Sequence, residues 1–251
     1  MNNYWHQYLN QFNLDLFHYF NNRENYSNTT KYCVIVEPRS LDVLPLVIKN
    51  FMYILRDKNW GCIVFHGTDN ETFLKTKLSG INHIIYHNLG VSNLTLQTYN
   101  QLLTSTHFWQ TLIKDNCHNA LIFQSDTILL KDNIDQYLQY DYIGAPWRHA
   151  HCLPLGIQVG NGGLSLRQTY KMWYITTNCK NIDDWYEDIY FSFWSYRLGY
   201  KIPKKDVAKT FSVETIFYHD PMGLHKPHLE FFTLDEIDIY NKLFARCSLK
   251  S

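Results

Sequence analysis

Ala120-Leu121-Ile122-Phe123-Gln124-Ser125-Asp126-Thr127-Ile128-Leu129-Leu130 is the stretch whose reading decides the fold. Its first four residues form an unbroken apolar run, the pattern of a strand buried on both faces rather than the alternation of a half-exposed one. The run delivers an acid, Asp126, just past its carboxyl end, and apolar sequence resumes at once. A carboxylate in such a frame is costly unless a cation or strong donors compensate it. A hard divalent ion bound to phosphate oxygens is one such partner. An Asp capping the next turn is the alternative, and this segment alone leaves both open.

The same punctuation recurs upstream. Tyr32-Cys33-Val34-Ile35-Val36 stops at Glu37-Pro38-Arg39, Gly61-Cys62-Ile63-Val64-Phe65 stops at His66-Gly67-Thr68, and Ile84-Ile85-Tyr86 is a shorter third run. Leu41, Leu44, Val47, Ile48, Phe51 and Leu55 keep helical spacing between the first two, and a longer helical stretch covers 94–115. Strands alternating with helices and joined by short turns predict an α/β Rossmann-type sandwich with a mostly parallel central sheet flanked by helices. Sites in such sheets gather beyond the carboxyl ends of the strands, which directs attention to 37–39, 66–69 and 124–126.

Farther out the pattern is less regular. Tyr142–Trp147 reads as a short strand and turn, 148–158 as a loop, and Gly160-Asn161-Gly162-Gly163-Leu164-Ser165-Leu166 leads into another strand. Helices are expected over 167–177 and 184–198, and short strands with turns from Phe211 to His228. At the other end Trp5, Tyr8, Leu9, Phe12, Leu16 and Phe20 space out an amphipathic helix over 4–20, followed by a polar linker, Asn21–Thr30. That helix is expected to pack on the main domain or on a partner subunit, a homodimer contact included; its polar face lacks the basic residues of a membrane anchor. No repeat or second core appears, so residues 1–30 are read as helix and linker and 31–251 as a single domain.

Composition narrows the function classes. Lys+Arg and Asp+Glu are 23 each among 251 residues, which argues against binding through nucleic-acid phosphates. Hydrophobic residues at 45% support a substantial core. The six cysteines, at 33, 62, 117, 152, 179 and 247, form no CxxC pair, which argues against a zinc ribbon or disulfide framework. With no apolar run near the roughly 18 residues of a membrane span and no signal-like N-terminus, a reducing, cytoplasmic setting is expected. Aromatics at 16% suit sugar rings and bases as well as a Tyr-rich core.

The Gln124-Ser125-Asp126 frame resembles the DxD segment of nucleotide-sugar-dependent glycosyltransferases of the GT-A fold, with Gln124 in place of the first acid. Other segments resemble that fold in the same chain order: Tyr32–Arg39 its nucleotide-clasping loop, Val159–Ser165 its glycine-bearing strand, Trp185-Tyr186-Glu187-Asp188 the Glu-Asp motif of inverting members, and Gly223-Leu224-His225-Lys226-Pro227 its C-terminal His/Lys-Pro region. Together with Ile143–Trp147, the set is similar to a little-characterised GT-A-like subfamily of microbes and large DNA viruses carrying a Gln-x-Asp variant. It covers about residues 32–228.

The resemblance implies transfer of a sugar from a nucleotide-diphosphate donor, a UDP-sugar first of all, to an acceptor hydroxyl on a glycan or other molecule. It implies Glu37 and Arg39 near base or phosphates, Gln124 and Ser125 near the ribose, Asn161, Gly162 and Gly163 around the sugar, and Lys226 on the diphosphate. Asp126 and His225 would hold Mn²⁺ or Mg²⁺, Asp188 would be the base of an inverting transfer, and Trp147 and Glu187 would orient the acceptor. Three other readings stand beside it. One is a non-catalytic nucleotide-sugar or carbohydrate-binding module, favoured by the amide at 124. Another is a metal-dependent hydrolase built on His149-Ala150-His151, whose spacing puts both rings on one face of an extended segment. The third is an interaction protein using the N-terminal helix.

Overall fold

The computed structural model describes residues 3–13, 28–148, 157–181, 185–227 and 229–246. Six strands form the central sheet: β1 (Lys31–Val36), β2 (Gly61–His66), β3 (Ile84–Asn88), β4 (Asn119–Phe123), β6 (Tyr142–Pro146) and β7 (Val159–Gln168). Their order is β3-β2-β1-β4-β7-β6. β1 pairs parallel with both β2 and β4, with Cys33 opposite Cys62 on one side and Leu121 on the other. β2 and β3 are also parallel, whereas β7 runs antiparallel to both β4 and β6. The expected α/β sandwich with a mostly parallel sheet is present.

The unbroken apolar runs are explained by burial on both faces. Alternate side chains of each strand enter two separate cores: Cys33, Ile35, Cys62, Val64, Leu121 and Phe123 one, Tyr32, Val34, Ile63, Phe65, Ala120 and Ile122 the other. The first core is roofed by α1 (Asn3–Asn10), α2 (Val43–Ile54), α3 (Glu71–Lys77) and α9 (Leu234–Arg246). The second lies under α4 (Leu96–Leu103), α5 (Thr106–Lys114), α6 (Thr169–Asn178) and α7 (Glu187–Arg197). Trp5, Tyr8, Leu9 and Phe12 are buried in the first core, and Tyr8 and Trp5 meet Phe244 of α9. The apolar face of α1 therefore packs on the main domain, one of the two expected placements; 14–27 lie outside the described residues.

Other boundaries shift for local reasons. The helix expected over 94–115 is two helices, because Thr104 and Ser105 leave the helical path and the Ser105 hydroxyl caps α5 by accepting from the Phe108 N–H at 3.2 Å. Asn161-Gly162-Gly163 lies inside β7 rather than leading into it. Helices α8 (Lys205–Phe211) and α9 were not anticipated.

A second, three-stranded sheet sits beside the first: β5 (Thr127–Leu129), β9 (Gly223–His225) and β8 (Ser212–Val213), in the order β5-β9-β8. Antiparallel pairing sets Thr127 opposite His225 and thereby brings the C-terminal segment to the end of β4. Asn50 of α2 anchors this sheet. Its side chain donates to the Leu129 carbonyl at 2.9 Å and accepts from the Leu129 N–H at 2.8 Å, all buried. Asn50→Leu strands the buried Leu129 N–H and leaves its carbonyl to the Tyr8 hydroxyl alone, and urea unfolding is expected to show a loss of about 1–3 kcal/mol.

Candidate functional site

The chain runs outward from β1 through β2 to β3, then returns to the opposite side of β1 as β4. That reversal opens a crevice beyond the carboxyl ends of β1 and β4, where open α/β sheets bind ligands. A cavity of about 210 Å³ occupies it, lined by Glu37, Arg39, Gln124, Ser125 and Asp126 and walled by 93–96 and Tyr99. A second cavity of about 330 Å³ adjoins it, lined among others by Asn161, Gly162, Gly163, Glu187, Asp188 and His225. Leu96, Tyr99 and Gln124 line both, so Asp126 and Asp188 face one continuous cleft. The 66–69 segment is absent from both linings, because β2 is one strand removed from the reversal point.

Glu37 is buried, and its carboxylate is occupied by Arg39: Oε1 accepts from the Arg39 N–H and Nε at 3.0 and 2.8 Å, and Oε2 from Nη2 at 2.7 Å. Glu37 thus positions Arg39, whose half-exposed guanidinium faces the cavity that both residues line. Asn70 was missed from sequence. Its amide donates to the carbonyls of Glu37 and Arg39 at 3.0 and 2.9 Å and accepts from the Gly67 N–H at 2.8 Å, locking two strand-end loops together.

His225 centres the polar cluster. Nε2 lies 3.1 Å from Gln124 Oε1 and 3.5 Å from Asp126 Oδ1, and Nδ1 lies 3.1 Å from Asn161 Oδ1 and 3.5 Å from Glu214 Oε1. Burial presses the His225 pKa down, but the carboxylates of Asp126 and Glu214 outweigh it and raise it to about 9. Burial likewise opposes ionisation of Asp126, yet His225 and the nearby Lys226 charge hold its pKa below the ordinary value. Lys226 itself is exposed; its backbone N–H donates to the Asp126 carbonyl at 3.0 Å. Asp126 Oδ1 is buried and makes no hydrogen bond. Among the described residues no group of three or more His, Cys, Asp or Glu side chains is arranged to hold an ion. Asp126, His225 and the Gln124 carbonyl nonetheless form a mixed oxygen and nitrogen donor set of the kind Mn²⁺ accepts, with phosphate oxygens left to complete it.

The opposite wall is built by a bulge. The β6–β7 register jumps from Gly144 opposite Ser165 to Ala145 opposite Asn161, which throws the Asn-Gly-Gly segment toward the cleft. A Cβ on Gly162 would collide with Glu187, and one on Gly163 with the His225 ring. The glycines make room for these protein side chains and line the cleft with Glu187. The Glu187 carboxylate grips Arg167 bidentately, Nη1 to Oε2 at 2.6 Å and Nη2 to Oε1 at 3.1 Å, with both side chains buried. Each oxygen spends one lone pair on Arg167, and Glu187 still lines the cleft.

Asp188 follows at the start of α7. Burial and the neighbouring Glu187 charge raise its pKa to about 7, against the lowering effect of the amides of Ile189 and Gly162 and of Arg167. Two α4 residues join the site without a sequence signal: the Tyr99 hydroxyl accepts from the Gln124 amide at 3.2 Å, and Asn100 Oδ1 accepts from the Glu187 N–H at 2.6 Å. Trp147 lines neither of these two cavities, and its backbone N–H donates to the Gln158 carbonyl at 2.9 Å. His149, His151 and His228 lie outside the described residues.

A family model described as a protein of unknown function (DUF5672) matches residues 88–225, more than half of the chain. The chain belongs to this family. Residues 88–225 hold Gln124, Asp126, Asn161, Asp188 and His225, whereas Glu37 and Arg39 precede them. No curated protein matches the chain. Among solved structures, galactosyltransferase LgtC in complex with donor and acceptor sugar analogs is similar at a TM-score of 0.53 and 9% identity, over 86% of this chain and 95% of that one. An active-site mutant of LgtC gives a TM-score of 0.51 at 12% identity, over 88% and 97% of the two chains. These likenesses show a shared GT-A-like fold.

Two measurements test the wall. Glu187→Ala leaves a buried, unpaired guanidinium, and denaturant unfolding is expected to show a loss of about 3–5 kcal/mol; a neutral substitution would refute the arrangement. Between the ordinary aspartate value of 3.8 and about 7, folded Asp188 keeps a proton that the unfolded chain has released. The folded state then binds more protons, so stability falls as pH rises through that window. Asp188→Asn should flatten that part of the slope.

Proposed function

We propose that this chain is a glycosyltransferase that moves a sugar from a nucleotide-diphosphate donor, a UDP-sugar first of all, to an acceptor hydroxyl with inversion, assisted by Mn²⁺ or Mg²⁺. The observation that carries the reading is the single cleft with the Asp126–His225 pair at one end and the raised-pKa carboxyl of Asp188 at the other.

The nucleotide occupies the crevice between the ends of β1 and β4, with Arg39 toward its phosphates and Gln124 and Ser125 toward the ribose. Asp126 and His225 would hold the divalent ion, and Lys226 would add positive charge beside them. When bound, that ion offsets the charge developing on the diphosphate as the glycosidic bond breaks. Asn161, fixed against the His225 ring at 3.1 Å, and the backbone of the β7 bulge face the sugar. Asp188 takes the proton of the acceptor hydroxyl as its oxygen attacks the anomeric carbon from the face opposite the departing diphosphate. A base with a pKa near 7 is half ionised at neutral pH and still strong enough to accept that proton, which is the poise general-base catalysis favours. Arg167 keeps Glu187 from competing for the proton.

Transfer by the full chain, followed by product release from UDP-sugars with Mn²⁺, is expected to rise with pH through a midpoint near 7, where Asp188 loses its proton. Asp188→Asn should lower the rate by about 10²–10⁴-fold while nucleotide binding persists in calorimetry. Retained turnover would remove Asp188 as base. Asp126→Ala should weaken nucleotide binding in Mn²⁺ and change little in chelator; equal affinities under both conditions would remove the ion. Nucleotide-sugar binding without transfer or hydrolysis would return the chain to a non-catalytic module.

A further inference from the structure

A third cavity, of about 380 Å³, lies beside the Asp188 end of the cleft. One face of α4 supplies Gln97, Gln101 and Thr104, and the segment before α7 supplies Asn181, Trp185 and Tyr186. It joins the cleft through Leu96, Asn100 and Tyr186, which line both spaces. Leu96 is 64% exposed and Tyr186 53% exposed, two large apolar groups left open at the junction. Among the described residues no charged side chain belongs to the lining. The amide side chains of Gln97 and Gln101 have no hydrogen-bond partner among the described residues. Each offers a donor and an acceptor side by side, the arrangement that matches neighbouring hydroxyls. Trp185 and Tyr186 add rings with an apolar face and a polar edge. The Asp126 end of the cleft, beside Arg39, carries the opposite chemistry and suits phosphates.

We infer that this groove binds a saccharide, and that the acceptor is a glycan of at least two sugar units. Its terminal sugar presents a hydroxyl to Asp188 while the next unit lies between Gln97, Gln101 and Tyr186. The inference rests on the transferase reading for the role of Asp188, but the groove itself is testable apart from it.

Lactose, cellobiose, maltose and N,N′-diacetylchitobiose, each beside its constituent monosaccharides, are titrated against the full chain by saturation-transfer NMR, with UDP and Mn²⁺ titrated separately. At least one disaccharide is expected to bind about tenfold more tightly than its monosaccharides, the scale of one added ring contact. In the Gln97→Ala/Gln101→Ala variant, whose exposed helix positions favour alanine, that preference should shrink to about twofold or less. Disaccharides binding no better than monosaccharides, or a preference that survives the double substitution, overturns the inference. UDP binding without a saccharide preference removes the groove alone. A groove-dependent preference without nucleotide binding keeps the saccharide site and removes the transferase reading.

Discussion

The Arg167–Glu187 ion pair constrains more of this molecule than any other contact. Arg167 sits fully buried, its guanidinium 5.0 Å from the Tyr142 ring, 5.2 Å from Phe191 and 5.9 Å from Trp109. Taking a cation from water into such surroundings is expensive, and only a well-aligned carboxylate with both oxygens engaged offsets the cost. The pair therefore fixes where α7 begins relative to β7. That fixes Asp188, one residue on, and requires glycine at 162, since any side chain there would collide with Glu187. Asn100 reinforces the joint from α4 by accepting from the Glu187 N–H. A carboxyl whose pKa reaches about 7 is in part a by-product: Asp188 is half-buried beside a charge that is already committed.

The other end of the cleft depends on sheet order. Only because β4 returns beside β1 do the 37–39 and 124–126 segments flank one crevice. Only because β9 pairs with β5 does His225 stand opposite Thr127, next to Asp126. Asn50 and the Tyr8 hydroxyl, both on the Leu129 carbonyl, tie that small sheet to α1 and α2, whose apolar faces share its core. The polar cluster around His225 is thus held by elements whose own burial is apolar.

Much of this was legible in the sequence. The continuous runs at 32–36, 61–65, 84–86 and 120–123 read as parallel strands because burial on both faces removes alternation, and they are β1 to β4. Gln124, Asp126, Asn161, Asp188 and His225 were each singled out and line the same cleft. Failures came where a residue's partner went unread, and for all but Glu37 that partner is distant in the chain. Glu37 and Glu187 read as free acids, but each is taken by an arginine, Arg39 and Arg167, and no local pattern announces the second pairing. Tyr99 and Asn100 look like ordinary polar positions of a helix until its packing against α7 and Gln124 gives them roles.

Periodicity and apolar content by themselves determined the layers, the strand ends and the chemical kinds of side chain available, because these depend on which residues leave water. Tertiary structure alone decided which carboxylates are free. Ionisation and availability depend on neighbours a few ångströms away, and those neighbours arrive from positions 20 to 101 residues apart in the chain, as Arg167 does for Glu187 and Gln124 for His225.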